Sequence, residues 1–318
     1  MLQQTDPLRH NQLVQVARLY YLRSMTHQQI AGKLGISRVK VTRLLQQAVA
    51  EHIVEFRIAD PAADTLELQE RLEKVFGLKQ ALVAPSGDTA QQTLDTLGRF
   101  AARWLGERLR DNLVVGVGWG RTLNAMAPHL APAGHKDMVV VSLTGGLAAN
   151  ARQPNPYDTA TAVASRIGAE PRYLLLPAVV DGEPTRDLLM AQASVRAVTG
   201  LWTRADIVLM SIGLLAPDTG VFYSLPDPSA GVAAAERAGG AGDLLARPFD
   251  SAGRFLSTDI SRRTIAVEPE QLKRVPLVAG VAGGVVKAEA IAGALRTGLL
   301  SVLITDEKAA RKVLQGAS

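Results

Sequence analysis

Short apolar runs alternate with amphipathic segments along most of the chain, and no other feature of the sequence restricts the fold as strongly. The apolar runs are ALVA, NLVVGVG, MVVVSL, RYLLLPAVV, DIVLMSIG, TIAV, VPLVAGVAGG and SVLITD. The intervening segments with helical spacing include TLDTLGRFAARWLGERL, RDLLMAQASVRAVTGLW and KAEAIAGALRTGL. Strands that are buried on both faces and separated by helices form a parallel, doubly wound sheet. The sequence therefore predicts an α/β domain over residues 60–318, with ligands binding outside the carboxyl ends of its strands.

The first 59 residues follow a different pattern, that of three short helices. The first helix is amphipathic, and its expected apolar face consists of Leu13, Val16, Ala17, Tyr20 and Tyr21. Thr26 stands at the N-cap of the second helix, where Gln29 completes a capping box. Gly35 supplies the left-handed residue that ends this helix, and Ser37 caps the third helix. The expected buried stripe of the third helix is Val41, Leu44, Leu45 and Ala48.

Basic and small polar residues cover the opposite face of the third helix, mostly on its first two turns. A recognition helix presents its N-terminal residues to base edges, while neighbouring cations hold phosphates. Ala31, Gly35 and Val41 also match the three geometrically demanding positions of a helix-turn-helix. The residues expected to contact double-stranded DNA are Thr26, His27, Gln28, Ser37, Arg38, Val39, Lys40, Thr42, Arg43 and Gln46. The alternative interpretation is a plain helical hairpin with a solvated charged face.

Two further segments follow the third helix. EHIVEFRIAD alternates Ile53, Phe56 and Ile58 with polar residues, which predicts a short strand or wing. DPAADTLELQERLEKVFG then predicts a charged amphipathic helix that serves as a linker or a dimerising element. The apolar set of this helix is Leu66, Leu68, Leu72, Val75 and Phe76. The N-terminal domain is therefore expected to be winged-helix-like.

The distribution of charge agrees with a nucleic-acid-binding N-terminal domain. Residues 1–60 contain eight Lys or Arg and four Asp or Glu, so they carry +4 of the formal +5 of the whole chain. Such an asymmetry is typical of a polyanion-binding domain on a nearly neutral body. The chain has no cysteine, which excludes disulfides, thiolate metal sites and a cysteine nucleophile. No secretory signal or membrane-length apolar run is present, so we expect a cytoplasmic protein without a membrane partner.

Three strand-to-helix junctions are rich in glycine. They are VVGVGWGRTLNAM, MVVVSLTGGLAAN and VAGVAGGVVKAEAIAGAL. Glycines allow backbone N–H groups to approach an anion, and a helix N-terminus with a nearby Lys or Arg favours negative charge. Together the junctions predict a phosphate or polyhydroxyl pocket, although each glycine taken alone is explained equally by turn geometry.

The glycine pattern does not predict a nucleotide cofactor. GVGWG lacks the acidic residue that should end the next strand, because Asp137 precedes MVVVSL instead. The P-loop pattern for ATP is also absent. We therefore expect no cofactor and no metal.

Taken together, these segments resemble the SorC/DeoR-type sugar-binding transcriptional regulators, a bacterial family. The stretches that carry the resemblance are QVARLYYLRSMTHQQIAGKLGISRVKVTRLL, GVGWGRTL, SLTGG, DIVLMSIG, GDLLARPFDSAGRFL and VAGVAGGVVKAEAIAGALRTGLLSVLITDE. The resemblance implies a DNA-binding domain over residues 1–59 and a sugar-binding effector and oligomerisation domain over residues 60–318. It implies a fold like that of sugar-phosphate isomerases, assembly into dimers or tetramers, and a phosphorylated sugar that alters repression of a catabolic operon.

The resemblance also implies roles for individual residues. The loop on the phosphate side would contain Gly118, Gly120, Arg121 and Thr122, and the second wall would contain Thr144, Gly145 and Gly146. Asn155 and Asp243 would hydrogen-bond sugar hydroxyls, and Lys287 would supply positive charge. The alternatives are a helix N-cap for Asp243 and a solvated first-turn position for Lys287. Trp119 and Arg121 make the first loop bulky, so a free sugar or polyol is the alternative effector.

An isomerase-like or deaminase-like enzyme is the main competing function, since the same fold hosts both classes. Such chemistry needs a general base and a proton shuttle beside the substrate carbonyl. His129 and His135 lie outside the strand-end motifs, and Asp243 has no evident histidine partner. The sequence therefore favours a regulator that binds a carbohydrate without converting it.

Overall fold

The computed structural model describes residues 7–55, 63–147, 155–216 and 228–317. The chain divides into two compact units, Met1–Pro61 and Ala62–Ser318. The first unit is helical, with α1 (Pro7–Ala17), α2 (His27–Leu34) and α3 (Arg38–Ala50). Its core is formed by Leu13, Val16, Ala17, Leu19, Ile30, Val41, Leu44, Leu45 and Ala48.

The predicted signals for α2 and α3 are confirmed. Thr26 and Gln29 form a reciprocal capping box at the start of α2. Gly35 has φ 66° and donates its N–H to Ala31 O, which ends the helix in the left-handed conformation. The Ser37 hydroxyl accepts a hydrogen bond from Lys40 N at the start of α3. These contacts fix the turn between the two helices.

The expected apolar face of the first helix is wrong in its last part. Residues Arg18–Leu22 form a π-helical turn after α1. Because a π turn contains more residues than an α turn, each residue within it advances less around the axis than it would in an α-helix. Leu19 is therefore buried, whereas Tyr20 and Tyr21 lie at the surface with their rings in edge-on contact at 4.9 Å.

The described part of the predicted wing is a turn. Ile53 N and Val54 N both donate to Ala48 O at the end of α3, and the two side chains pack against the core of the unit. Residues 51–55 thus contain no strand. Phe56 and Ile58 lie outside the described residues.

The second unit contains a seven-stranded parallel sheet in the described part of the chain. Its strands are β1 (Gln80–Ala84), β2 (Val114–Val117), β3 (Val139–Ser142), β4 (Glu170–Arg172), β5 (Ile207–Ser211), β8 (Leu277–Val281) and β9 (Val302–Asp306). Two more strands, β6 (Gly240–Leu244) and β7 (Arg247–Asp250), form a separate antiparallel hairpin. The order in the sheet is β1-β9-β8-β5-β2-β3-β4. The predicted α/β class with a parallel sheet is confirmed.

Helices cover both faces of this sheet. They are α4 (Ala63–Phe76), α5 (Ala90–Gly106), α6 (Arg121–Met126), α7 (Pro156–Ile167), α8 (Glu183–Met190), α9 (Ala193–Thr199), α10 (Pro228–Arg237), α11 (Asp259–Arg263), α12 (Pro269–Leu272), α13 (Ala288–Arg296) and α14 (Glu307–Gln315). Along β9, Val302 and Ile304 belong to the core shared with α5, α6 and α7, whereas Leu303 belongs to the core shared with α4, α13 and α14. The sheet is therefore doubly wound, as predicted.

The strand order reverses between β2 and β5. From β2 the chain proceeds through β3 and β4 to one edge, while β5 continues through β8 and β9 towards the other edge. In open α/β sheets the crevice at such a reversal, outside the carboxyl ends of the strands, is where ligands bind. The topology therefore points to the segments that follow β2, β5 and β8.

Two predicted strands are not strands of the sheet. RYLLLPAVV contributes Arg172 to β4 and afterwards makes only isolated bridges, at Pro177 and Val179. TIAV likewise makes only isolated bridges, from Thr264 to Val179 and from Ala266 to Thr144. Because each residue in these runs has a different neighbour, no continuous ladder forms. The apolar composition of the two runs reflects burial outside the sheet.

The long predicted helix RDLLMAQASVRAVTGLW is broken into α8, α9 and a 3-10 turn at Trp202–Arg204. The break lies at Gln192, whose backbone is extended with ψ 140°. The prediction of a single helix was therefore wrong in this segment.

Helix α4 is amphipathic as predicted, but only part of its apolar set is covered. Leu68 and Leu72 are buried, whereas Leu66 and Val75 are each 51% exposed. Gly77, with φ 67°, follows the last residue of the helix.

Candidate functional site

A cavity of about 270 Å³ lies in the crevice at the strand reversal. Its wall comes from the segments after β2, β5 and β8, from the start of α5, and from the β6–β7 hairpin. Five elements that are distant in sequence thus converge on one space. This volume suits a small metabolite.

The segment after β2 forms one side of the cavity. Gly120 has φ 123°, and a Cβ at this position would lie 2.9 Å from Ser211 Oγ, so any larger residue is disfavoured. Trp119 is buried in the wall, Thr122 is buried in the first turn of α6, and Arg121 is exposed at the mouth. Three of the predicted effector residues, Gly120, Arg121 and Thr122, thus line the cavity.

Asp243 lies in β6 and is buried, with 3% of its surface exposed. Its Oδ2 accepts a hydrogen bond from Ala246 N at 3.0 Å, whereas Oδ1 has no hydrogen-bond partner among the described residues. Burial raises the pKa of this carboxyl to about 6. A Cβ on Gly213 would collide with Oδ1, so the glycine leaves room for the carboxylate. The alternative of a helix N-cap is wrong, because Asp243 belongs to a hairpin.

Lys287 ends a 3-10 turn (Val285–Lys287) that follows β8. Its Nζ donates a hydrogen bond to Ile212 O at 2.7 Å, which turns the ammonium towards the cavity. Desolvation by burial lowers the pKa of Lys287 to about 8, although nearby Asp243 opposes that change and Arg121 adds to it. The alternative of a fully solvated lysine is therefore wrong.

Two polar residues of the site were missed by the sequence reasoning. Ser211 ends β5, and its buried Oγ has no hydrogen-bond partner in the described part of the chain. Asp306 ends β9, where its Oδ2 accepts from Gly284 N at 2.5 Å and its Oδ1 accepts from Ser86 Oγ at 2.6 Å. Asp306 thus holds the glycine loop after β8. A polar residue at the carboxyl end of an apolar strand was the available signal for both.

The other predicted effector residues do not line this cavity. Gly118 donates its N–H to Leu209 O within the sheet. Thr144 Oγ1 and Gly145 N both donate to Ile265 O, and Gly146 N donates to Leu176 O. The Asn155 side-chain amide is occupied by both backbone groups of Leu147. These polar groups are engaged in holding neighbouring backbone.

Among the described residues, no histidine lines the cavity. His129 Nε2 lies 2.8 Å from Asp95 Oδ1, on the outer side of α5. His135 Nδ1 lies 3.3 Å from Asp111 Oδ1. Both histidines therefore have carboxylate partners elsewhere.

A second candidate surface is the exposed face of α3 in the first unit. The side chains predicted to face outward from this helix are all exposed, and they are Arg38, Val39, Lys40, Thr42, Arg43 and Gln46. Within residues 7–55, neither Arg38, Lys40 nor Arg43 forms an ion pair. Exposed cations without carboxylate partners retain their charge for a polyanion such as DNA.

Side chains at the start of α2 join this surface. Thr26 and Gln28 are exposed, and His27 is half-buried with its ring 5.1 Å from that of Tyr20. Thr42 Oγ1 lies 3.3 Å from His27 Nδ1, so α2 and α3 are tied at this end. The structure thus brings the predicted DNA-contacting residues together on one face of the helix pair.

Comparison with known proteins identifies the family of this chain. Residues 60–315 match the Sugar-bind family model, which describes a sugar-binding domain. The chain is 33% identical over 303 residues to the deoxyribonucleoside regulator of Bacillus subtilis, covering 95% of this chain and 96% of that protein. It is 31% identical over 303 residues to the erythritol catabolism regulatory protein EryD of Brucella abortus, covering 95% of each. The full-length sorbitol operon regulator SorC of Klebsiella pneumoniae has a similar structure, with a TM-score of 0.75, 27% identity, and coverage of 96% of this chain and 98% of that one.

The relatives match this chain nearly from end to end, and they are named as regulators. In the ranges that the structure describes, no helix is both long enough and apolar enough to cross a membrane. The chain belongs to the SorC/DeoR-type family of sugar-binding transcriptional regulators.

Proposed function

We propose that this regulator binds operator DNA through the exposed face of α3 and the start of α2, and that a small carbohydrate in the strand-end cavity controls that binding. The expected operators belong to genes for sugar or polyol catabolism. This assignment is supported by relatives named for deoxyribonucleoside, erythritol and sorbitol regulation.

The observation that carries the effector site is that two residues of the cavity wall each have a buried polar atom without a partner among the described residues, Ser211 Oγ and Asp243 Oδ1. A buried polar atom without a partner costs about 1–3 kcal/mol. Hydroxyl groups of a ligand would remove this cost, because a hydroxyl can donate to Asp243 and accept from Ser211. A polyhydroxyl compound is therefore the ligand class that fits.

A sugar phosphate is the effector we favour. Arg121 and Lys287 bring two cations to one cavity whose buried carboxyl has a raised pKa. Gly120 and Gly284 have no side chains to block an anion from nearby backbone N–H groups. A free polyol is the second candidate, because two of the relatives are named for erythritol and sorbitol.

We propose a supporting role for the predicted effector residues outside the cavity, which are Gly118, Thr144, Gly145, Gly146 and Asn155. Their polar groups hold the backbone beside β2 and β3, so they would support the effector site without touching the ligand.

We also propose a dimer or tetramer, in which ligand binding changes how the subunits present their DNA-binding units. The ligand would be bound and released unchanged, which is supported by relatives that are named as regulators.

A thermal-shift screen of the purified full-length chain tests this function. Sugar phosphates, free sugars and polyols are compared, because a specific ligand raises the melting temperature by mass action. We expect a phosphorylated sugar to give the largest rise and to be recovered chemically unchanged after prolonged incubation. Catalytic conversion of the stabilising compound would assign the chain to the isomerase-like class instead.

A further inference from the structure

We propose that Val39 is a specificity-determining residue that reads thymine, through contact of its methyl groups with the thymine C5-methyl in the major groove of the operator. The inference rests on the proposed DNA-binding function. It specifies which base this side chain contacts and which group of that base.

Val39 lies opposite the core of the first unit. On a helix with 3.6 residues per turn, it is about 160° around the axis from the buried Val41. Arg43 and Gln46 follow it at intervals of four and seven residues, so the three side chains form one stripe along α3. Val39 is 79% exposed, and it stands in the first turn, which a recognition helix inserts into the groove.

The two neighbouring hydroxyl groups each make a hydrogen bond to backbone of the same helix. Ser37 Oγ accepts from Lys40 N, and Thr42 Oγ1 donates to Arg38 O. The first turn of α3 therefore offers an apolar tip that is flanked by the cations of Arg38 and Lys40.

A partner that matches this surface must place an apolar group against Val39 and anionic groups beside Arg38 and Lys40. Phosphates on both sides of the major groove provide the anionic part. Among the groups that base pairs expose in that groove, the thymine methyl is the apolar one. A single exposed valine is ordinary on a protein surface. Val39 is distinguished by its place between the exposed cations of Arg38 and Lys40.

The test begins with selection of duplexes from a random pool by the full-length wild-type chain and by Val39→Ala. Alanine is a better helix former than valine, so this variant retains α3. Each thymine in the wild-type duplex is then replaced by uracil, which removes only the methyl group, and affinities are measured by fluorescence anisotropy. Burial of one methyl group is worth about 0.8 kcal/mol, or about a fourfold change in affinity.

We expect one thymine per half-site at which uracil weakens wild-type binding about fourfold, and no such loss for Val39→Ala. The matched control is Val49→Ala, the same change about 15 Å further along α3, which should keep the wild-type sensitivity. The inference is overturned if no thymine is sensitive in the wild type, or if Val39→Ala keeps the sensitivity. Failure of the wild-type chain to select any duplex would overturn the DNA-binding function as well.

Discussion

At the scale of single residues, the cavity is shaped by small residues placed against polar ones. Gly213 leaves space for the Asp243 carboxylate, and Gly120 leaves space for the Ser211 hydroxyl. The glycines were visible in the sequence, but their polar partners lie far away along the chain. The sequence therefore indicated a pocket without indicating which atoms in it lack partners.

Ser211→Ala separates a ligand-binding role from a structural one. Because Ser211 Oγ makes no hydrogen bond in the described structure, its removal should leave the melting temperature of the ligand-free chain unchanged or slightly higher. Loss of a hydrogen bond to the ligand should weaken sugar-phosphate binding by up to about tenfold. Isothermal titration calorimetry and thermal unfolding measure the two quantities. Normal ligand affinity in this variant would contradict the proposed contact.

The pH dependence of effector binding follows from Lys287. Its pKa of about 8 means that the ammonium is charged below pH 8 and progressively neutral above it. A phosphate ester has a second pKa near 6, so the ligand stays dianionic from pH 7 to pH 9. We therefore expect the affinity for a sugar phosphate to fall as the pH rises through about 8.

The matched variant for this pH profile is Lys287→Arg, because a guanidinium stays protonated throughout this range. If it binds, its affinity should be nearly constant between pH 7 and pH 9. A wild-type affinity that stays constant across pH 8 would show that the Lys287 ammonium does not hold the anion.

At the scale of elements, local signals predicted α2 and α3 well because caps, glycine and the buried stripe agree with one another. The β6–β7 hairpin was missed for a physical reason. Its two turn residues, Leu245 and Ala246, have φ of 51° and 66°, a conformation usually signalled by asparagine or glycine. Tertiary contacts thus impose a turn that the residue types do not predict, and Asp243 was assigned to a helix as its alternative.

The turn between α2 and α3 can be tested with two glycines of the same unit. Gly35→Ala should destabilise the turn by about 1 kcal/mol, because alanine disfavours the left-handed conformation. Gly32→Ala lies inside α2 with open space around the new Cβ, so it should stabilise the helix by about 0.5–1 kcal/mol. Hydrogen exchange of the amides in residues 27–50 of the full chain reports both changes. Equal protection in the two variants would contradict the assigned role of Gly35.

The exposed face of α3 is tested by the salt dependence of DNA binding. Arg43 forms no ion pair among the described residues, so Arg43→Ala removes a cation that is available to a phosphate. We expect weaker operator binding and a salt slope reduced by about 1, with unchanged effector affinity. The control is Arg99→Ala in the second unit, where the arginine already pairs with Asp95. An unchanged salt slope in Arg43→Ala would remove this residue from the interface.

At the scale of the whole molecule, the two units carry two different kinds of surface. The first presents exposed cations on a helix, and the second encloses buried polar atoms that have no hydrogen-bond partner among the described residues. Charge asymmetry and strand alternation, both sequence properties, predicted a helical basic unit followed by an α/β unit, and the structure has both. The sequence could not predict which glycine loops meet at one cavity, because that depends on the strand order. The loop containing Thr144 follows β3, away from the reversal between β2 and β5, and so it does not line the cavity.

The most direct test of the central claim is a titration of the stabilising sugar phosphate into the complex of the full chain with its selected operator, followed by fluorescence anisotropy. We predict that the ligand changes operator affinity by between about 5-fold and 150-fold, the usual range of allosteric coupling. Lys287→Ala should bind the same operator with wild-type affinity and show no response to the ligand. Identical operator affinity with and without a saturating ligand in the wild type would contradict the account.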